Sequence, residues 1–123
     1  LPAAQAFRPA LRIWAEVLSR PEAGLALCGM GMRDVSFDHD LPRPLRAYRN
    51  AEPLAEETLV GARVTRLNDQ HAFLAIVPSC TLAVGDIVEF GVSHPCTCLD
   101  RWSLIYTLDE TGTASGAFRT AFG

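Results

Sequence analysis

The stretch Ser93-His94-Pro95-Cys96-Thr97-Cys98-Leu99-Asp100-Arg101-Trp102 holds the residues best suited to chemistry. His94, Cys96 and Cys98 stand at alternate positions. In an extended chain, residues two apart share a face, so His94 and Cys96 can reach one cation from a single strand or strand end. Pro95 lacks a backbone N–H and has a fixed φ, which suits an edge, a bulge or a strand terminus. An imidazole and a thiolate together suit zinc better than magnesium or calcium. Two protein ligands leave coordination positions open to water or substrate. A packing role competes with this one. Free cysteines are among the most buried residues, and His-x-Cys falls well short of a four-ligand pattern.

Other residues are less pointed. Asp38-His39-Asp40 could tempt a metal assignment, but a solvated loop with local Asx turns accounts for it. Gly29-Met30-Gly31 permits positive φ or close backbone approach, and a bend at a sheet corner is the commoner use than a ligand loop. The 11 basic residues are all arginine, so the chain has no lysine to act as a Schiff-base nucleophile. A net charge of −3 without a basic cluster argues against nucleic acid or an anionic membrane as partner. No apolar run is long enough for a membrane span, and no secretory signal pattern is present. The four cysteines are therefore expected to be reduced, in a cytoplasmic protein. The chain opens on Leu1, and we expect it to be a piece of a longer polypeptide.

These residues need a scaffold, and the pattern predicts strands. Leu11 to Arg20 fits two periods. Leu11, Ile13, Ala15 and Val17 alternate, while Leu11, Trp14, Ala15 and Leu18 would line a helix. Pro9 and Pro21 leave only a short window, so we read a strand. Leu25 to Cys28 reads as a short buried strand with Cys28 in the core. Met32 to Pro44 is a charged loop, in which Pro42 and Pro44 are expected to stop regular structure. Leu45 to Gly61 is expected to be a connector, with at most a short turn of helix after Glu52. Ala62–Leu67 and His71–Val77 form a hairpin around Asn68-Asp69-Gln70. In the strand Ile87–Val92, the apolar Val88, Phe90 and Val92 share parity with His94 and Cys96, although Gly91 and Pro95 favour a bulge. Trp102–Leu108 and Ala114–Phe122 form a last hairpin, with Phe118 and Phe122 in the core. The fold class expected is mainly β: one antiparallel β-barrel-like domain over residues 1–123, with little helix.

Several stretches resemble one family. Gly31-Met32-Arg33-Asp34-Val35-Ser36-Phe37-Asp38-His39-Asp40-Leu41-Pro42 is similar to the glycine-basic, Ser-x-Asp and Leu-Pro stretch of D-serine dehydratase-like proteins. That group also holds D-threonine aldolases and bacterial amino acid deaminases. Leu67-Asn68-Asp69-Gln70-His71 looks like its leucine-turn-acidic-His segment, and Leu82-Ala83-Val84-Gly85-Asp86 matches its L-x-V-G-D. His94-Pro95-Cys96-Thr97 falls where the family keeps its metal ligands, and Asp100-Arg101-Trp102 follows as in the deaminase-like branch. The similarity runs in order through most of residues 11–123.

The resemblance implies the C-terminal β-domain of a fold-type III pyridoxal phosphate enzyme, related to the alanine racemase architecture. An N-terminal α/β barrel would carry the cofactor and its lysine, in keeping with the absence of lysine here. It implies a D-amino acid substrate and a homodimer. It places a divalent metal on His94 and Cys96. The thiolate, where aldolases keep an aspartate, favours zinc and the dehydratase or deaminase branch. The metal would help a β-hydroxyl leave as water, with pyridoxal phosphate as electron sink. The family's paired glutamates before His71 are replaced by Asp69-Gln70, so His71 is either a donor supporting the metal site or a structural histidine. Cys98 is not a family ligand and reads as core or as a neighbouring thiol. The activity expected of the whole protein is a lyase reaction, dehydration with deamination or aldol cleavage; the fragment alone is expected to be inactive. The alternative is a non-catalytic β-barrel for dimerisation or stand-alone metal binding.

Overall fold

The computed structural model describes residues 11–35, 40–92, 102 and 104–119. The expected metal ligands His94 and Cys96 lie outside them, as do Cys98, Asp38, His39, Phe122 and the side chain of Phe118.

The architecture is antiparallel β throughout. Strand β1 (Arg12–Glu22) is its spine. Its first half pairs with β7 (Ile87–Gly91), from Arg12 opposite Gly91 to Glu16 opposite Ile87. Its second half pairs with β2 (Leu25–Cys28), with Val17 opposite Cys28 and Glu22 opposite Leu25. The register slips twice along that second half, which bends β1 between its two partners. Pro21 sits in this irregular stretch, where a missing N–H does least harm.

The remaining strands extend each side. β3 (Arg43–Arg49) and β4 (Glu52–Pro53) lie beyond β7, and β6 (Ala72–Ala75) and β5 (Arg63–Leu67) lie beyond β2. The order is β4-β3-β7-β1-β2-β6-β5. The sheet curls until β3 and β5 touch, though no backbone ladder joins them. It is barrel-like without closing. β8 (Leu104–Leu108) and β9 (Ala114–Arg119) form a separate two-stranded hairpin. The one helical element among the described residues is a 3₁₀ turn, Glu56–Leu59.

Alternation explains the interior. Ala15 and Val17 of β1, Ala26 and Cys28 of β2, Ala72 and Leu74 of β6, and Val88 and Phe90 of β7 all face inward. Met30, Val35, Leu67 and Leu82 fill the core from strand ends and loops.

One expectation is overturned. The stretch from Leu45 is not a plain connector, and Pro44 does not stop regular structure. Instead Pro44 lies within β3 opposite Phe90. β4 covers β3 only at Tyr48 and Arg49, so the outer edge at Pro44 is open and needs no N–H. A bulge between Pro44 and Arg46 takes up the misfit. The strand is hard to see because Ala47 is its only fully buried residue.

Candidate functional site

Two turns meet at one end of the sheet. The turn after β2, Gly31 to Asp34, lies against the β5–β6 turn, Asn68 to His71. Met32 N–H donates to the Asn68 carbonyl at 2.8 Å, and Arg33 N–H to the Asp69 carbonyl at 3.0 Å. Each turn is also closed internally. Asp34 N–H donates to Gly31 O at 2.9 Å, Gly31 N–H to Asp34 Oδ2 at 3.0 Å, and Asn68 N–H to His71 O at 2.8 Å.

Gly31 permits this meeting. A Cβ there would lie 2.2 Å from Asn68 O and 2.6 Å from both the carbonyl carbon and the oxygen of Asp69. No side chain fits, so the glycine serves close backbone approach, one of the two uses its sequence allows. The joined turns form an open cleft of about 580 Å³, lined by Met32, Arg33, Asn68, Asp69, Gln70 and His71. His71 is exposed on it rather than packed in the core. Sequence reading singled out His71 alone; the facing Arg33 emerges only when the two turns are seen together.

The same corner holds one end of the His94–Cys96 stretch. Trp102 donates its indole N–H to the Asp34 carbonyl at 2.7 Å. The other end is held by Val92, buried, whose N–H donates to Leu11 O at 3.3 Å. Both flanks of residues 93–101 are therefore tied to the body of the domain.

Other polar clusters are structural. Asp86 is buried and accepts both Arg49 Nε at 2.8 Å and Arg49 NH2 at 2.9 Å. Ala83 N–H also donates to it at 2.8 Å. The bonds from Arg49 hold its carboxyl below the ordinary carboxylate range, against the opposing effect of burial. The same loop is stitched to the bend of β1: Val17 N–H donates to Asp86 O, and Gly85 N–H to Val17 O, both at 2.8 Å. Arg20 adds bonds to the carbonyls of Leu82, Cys80 and Ala23. Leu82-Ala83-Val84-Gly85-Asp86 thus shapes the fold. On the outer face, buried Glu89 accepts Arg12 at 2.8 Å and the Tyr48 hydroxyl at 2.7 Å. Burial first, then the bond to Glu89, pushes the Tyr48 phenol upward.

Cys28 is fully buried, and burial pushes its thiol up to about 12, so it packs and stays protonated, as expected. Cys80 is also a free thiol, donating to Thr58 O at 3.1 Å. Among the described residues no three His, Cys, Asp or Glu side chains converge as a metal would require.

A family model described as "Putative serine dehydratase domain" matches residues 10–108. The chain belongs to this serine dehydratase family. Solved structures agree on the fold. D-threonine aldolase from Filomicrobium marinum superposes with a TM-score of 0.72 at 23% identity, over 92% of this chain and 28% of its own. D-threo-3-hydroxyaspartate dehydratase from Delftia sp. HT23 gives 0.64 at 19%, over 93% and 32%. An alanine racemase-like protein from Idiomarina loihiensis gives 0.67 at 15%, over 91% and 31%. This serine dehydratase-family chain therefore spans about a third or less of the length of these neighbours. Two variants of the hydroxyaspartate dehydratase also match, one with a histidine replaced by alanine and one with a cysteine so replaced. The second is described as metal-free, and the two altered positions are two residues apart. A comparison with curated proteins finds no match.

Proposed function

We propose that this chain is the metal-bearing C-terminal domain of a pyridoxal phosphate-dependent lyase acting on a β-hydroxy D-amino acid. Zinc or another divalent cation would be held by His94 and Cys96. The family match over residues 10–108 carries the reading. The hydroxyaspartate dehydratase supports the ligand pair, because its altered histidine and cysteine have the spacing of His94 and Cys96.

The donor set fits the metal. A neutral imidazole and a thiolate give a borderline-to-soft pair with room for other ligands. A cation so held acts as a Lewis acid on an oxygen leaving group. The chain's own part is to present the pair. Val92 and Trp102 tie the flanks of the segment to Leu11 and Asp34, and the tie at Asp34 rests on the Gly31–Asn68 contact. The chain holds no lysine to bond pyridoxal phosphate covalently. That group belongs to an N-terminal barrel domain in this reading, which also includes a homodimer in the cytoplasm. No helix among the described residues is long and apolar enough to cross a membrane.

The test is metal content and activity of the full-length natural protein. Wild type is expected to carry metal, and His94→Ala and Cys96→Ser to lose most of it. Turnover of D-serine or D-threonine should fall with chelator and return with zinc. Equal metal content in all three proteins would remove the site.

A further inference from the structure

The cleft between the joined turns holds five polar side chains that the fold itself does not use. Arg33, Asn68, Asp69, Gln70 and His71 line it, and all five are exposed except for their shared backbone contacts. Among the described residues none of these side chains makes a hydrogen bond or ion pair. The two turns that carry them, in contrast, are cross-linked by two backbone hydrogen bonds, from Met32 to Asn68 and from Arg33 to Asp69, and pressed together at Gly31. Free side chains on a braced frame can be engaged by a ligand without first ordering the backbone, which lowers the entropy cost of binding.

The chemistry of the five is lopsided. Arg33, Asn68, Gln70 and His71 can all donate, and only Asp69 is purely an acceptor. A guanidinium fork matches a carboxylate with two parallel bonds. We infer that this cleft binds the carboxylate of a small polar acid, with Arg33 as its principal contact and His71 beside it. Asp69 favours an acid that also carries a hydroxyl or ammonium donor. The inference rests on the function proposed above and narrows it: the substrate is an acidic β-hydroxy D-amino acid, and the cleft receives its side-chain carboxylate. Arg33 is then a specificity-determining residue.

Two measurements on the full-length protein test this. The first compares the KM of D-threo-3-hydroxyaspartate and of D-serine in wild type and Arg33→Gln. The acidic substrate should lose about 10- to 100-fold, the worth of one charge-assisted contact, and D-serine should change less than about twofold on the same reasoning. Arg33→Lys should fall between, keeping charge without the fork. The second titrates succinate, which lacks the reacting groups, against the His71 ring signals, assigned with His71→Gln. Succinate should shift those signals in wild type and not in Arg33→Gln. If only the succinate effect depends on Arg33, the cleft takes a free acid rather than the substrate's side chain, and the carboxylate site stands. If wild type turns over no D-hydroxy amino acid, the proposed function fails while the titration still decides the cleft. Succinate binding that persists in Arg33→Gln, or no binding with unchanged KM values, overturns the inference.

Discussion

At Gly31 a single hydrogen atom in place of a methyl group decides whether two turns can meet. Gly31→Ala places a carbon 2.2 Å from a carbonyl oxygen of the opposing backbone, which cannot rotate away as a side chain would. We expect a loss of about 1–3 kcal/mol, read as a lower urea midpoint, with a change in Trp102 fluorescence as its indole N–H loses the Asp34 carbonyl. Asp86 is the second residue on which much depends. Its carboxyl titrates below the ordinary value because Arg49 bonds the charged form. Its stabilisation is therefore complete above the unfolded value of about 3.9 and is lost as pH falls through the lower folded value. Asp86→Asn should lower the urea midpoint at neutral pH and flatten the decline of stability under acid. The Arg49 side chain is 43% exposed, so water screens the pair and the effect is smaller than for a dry ion pair. Sequence reading found Asp86 only as the last letter of a motif. Its burial and its partner 37 positions away are tertiary facts that local pattern does not carry.

Among the elements, strands rich in apolar residues were legible and one without them was not. The strand over β6 shows as an apolar run from Ala72 to Val77 after a turn, and the one over β7 through Val88, Phe90 and Val92. β3 has one buried side chain among arginines and a proline, so neither propensity nor period marks it. Its turn is also disguised. β3 and β4 are joined by Asn50 and Ala51, with φ of 52° and 67°. A two-residue hairpin of this kind usually declares itself by a glycine, and here alanine takes the left-handed position. Ala51→Gly should relieve that strain and stabilise the protein by about 0.5–1 kcal/mol, measurable by thermal or urea denaturation. The turn Asp109-Glu110-Thr111-Gly112 between the last two strands is legible because its signal is local: the Asp109 carboxylate accepts Thr111 N–H at 2.9 Å and Thr113 N–H at 3.0 Å.

For the whole molecule, fold class and family were both legible, one from period and the other from an ordered set of short motifs. What could not be read was which distant turns share a corner, since nothing in Gly31 or Asn68 names the other. The rolled sheet has a further property. β3 and β5 approach without a ladder, so the outer rim of β5, and that of β3 where β4 does not cover it, keep N–H groups that no strand among the described residues accepts. Those amides should trade deuterium for hydrogen well before the ones shared by β1 and β7, and mass spectrometry of exchanged peptides would show it. The chain would then loosen from its seam inward, letting the two flaps of the roll part while the spine still holds. Arg63 and Arg66 along one flap would discourage a stray strand from zipping onto the opened border.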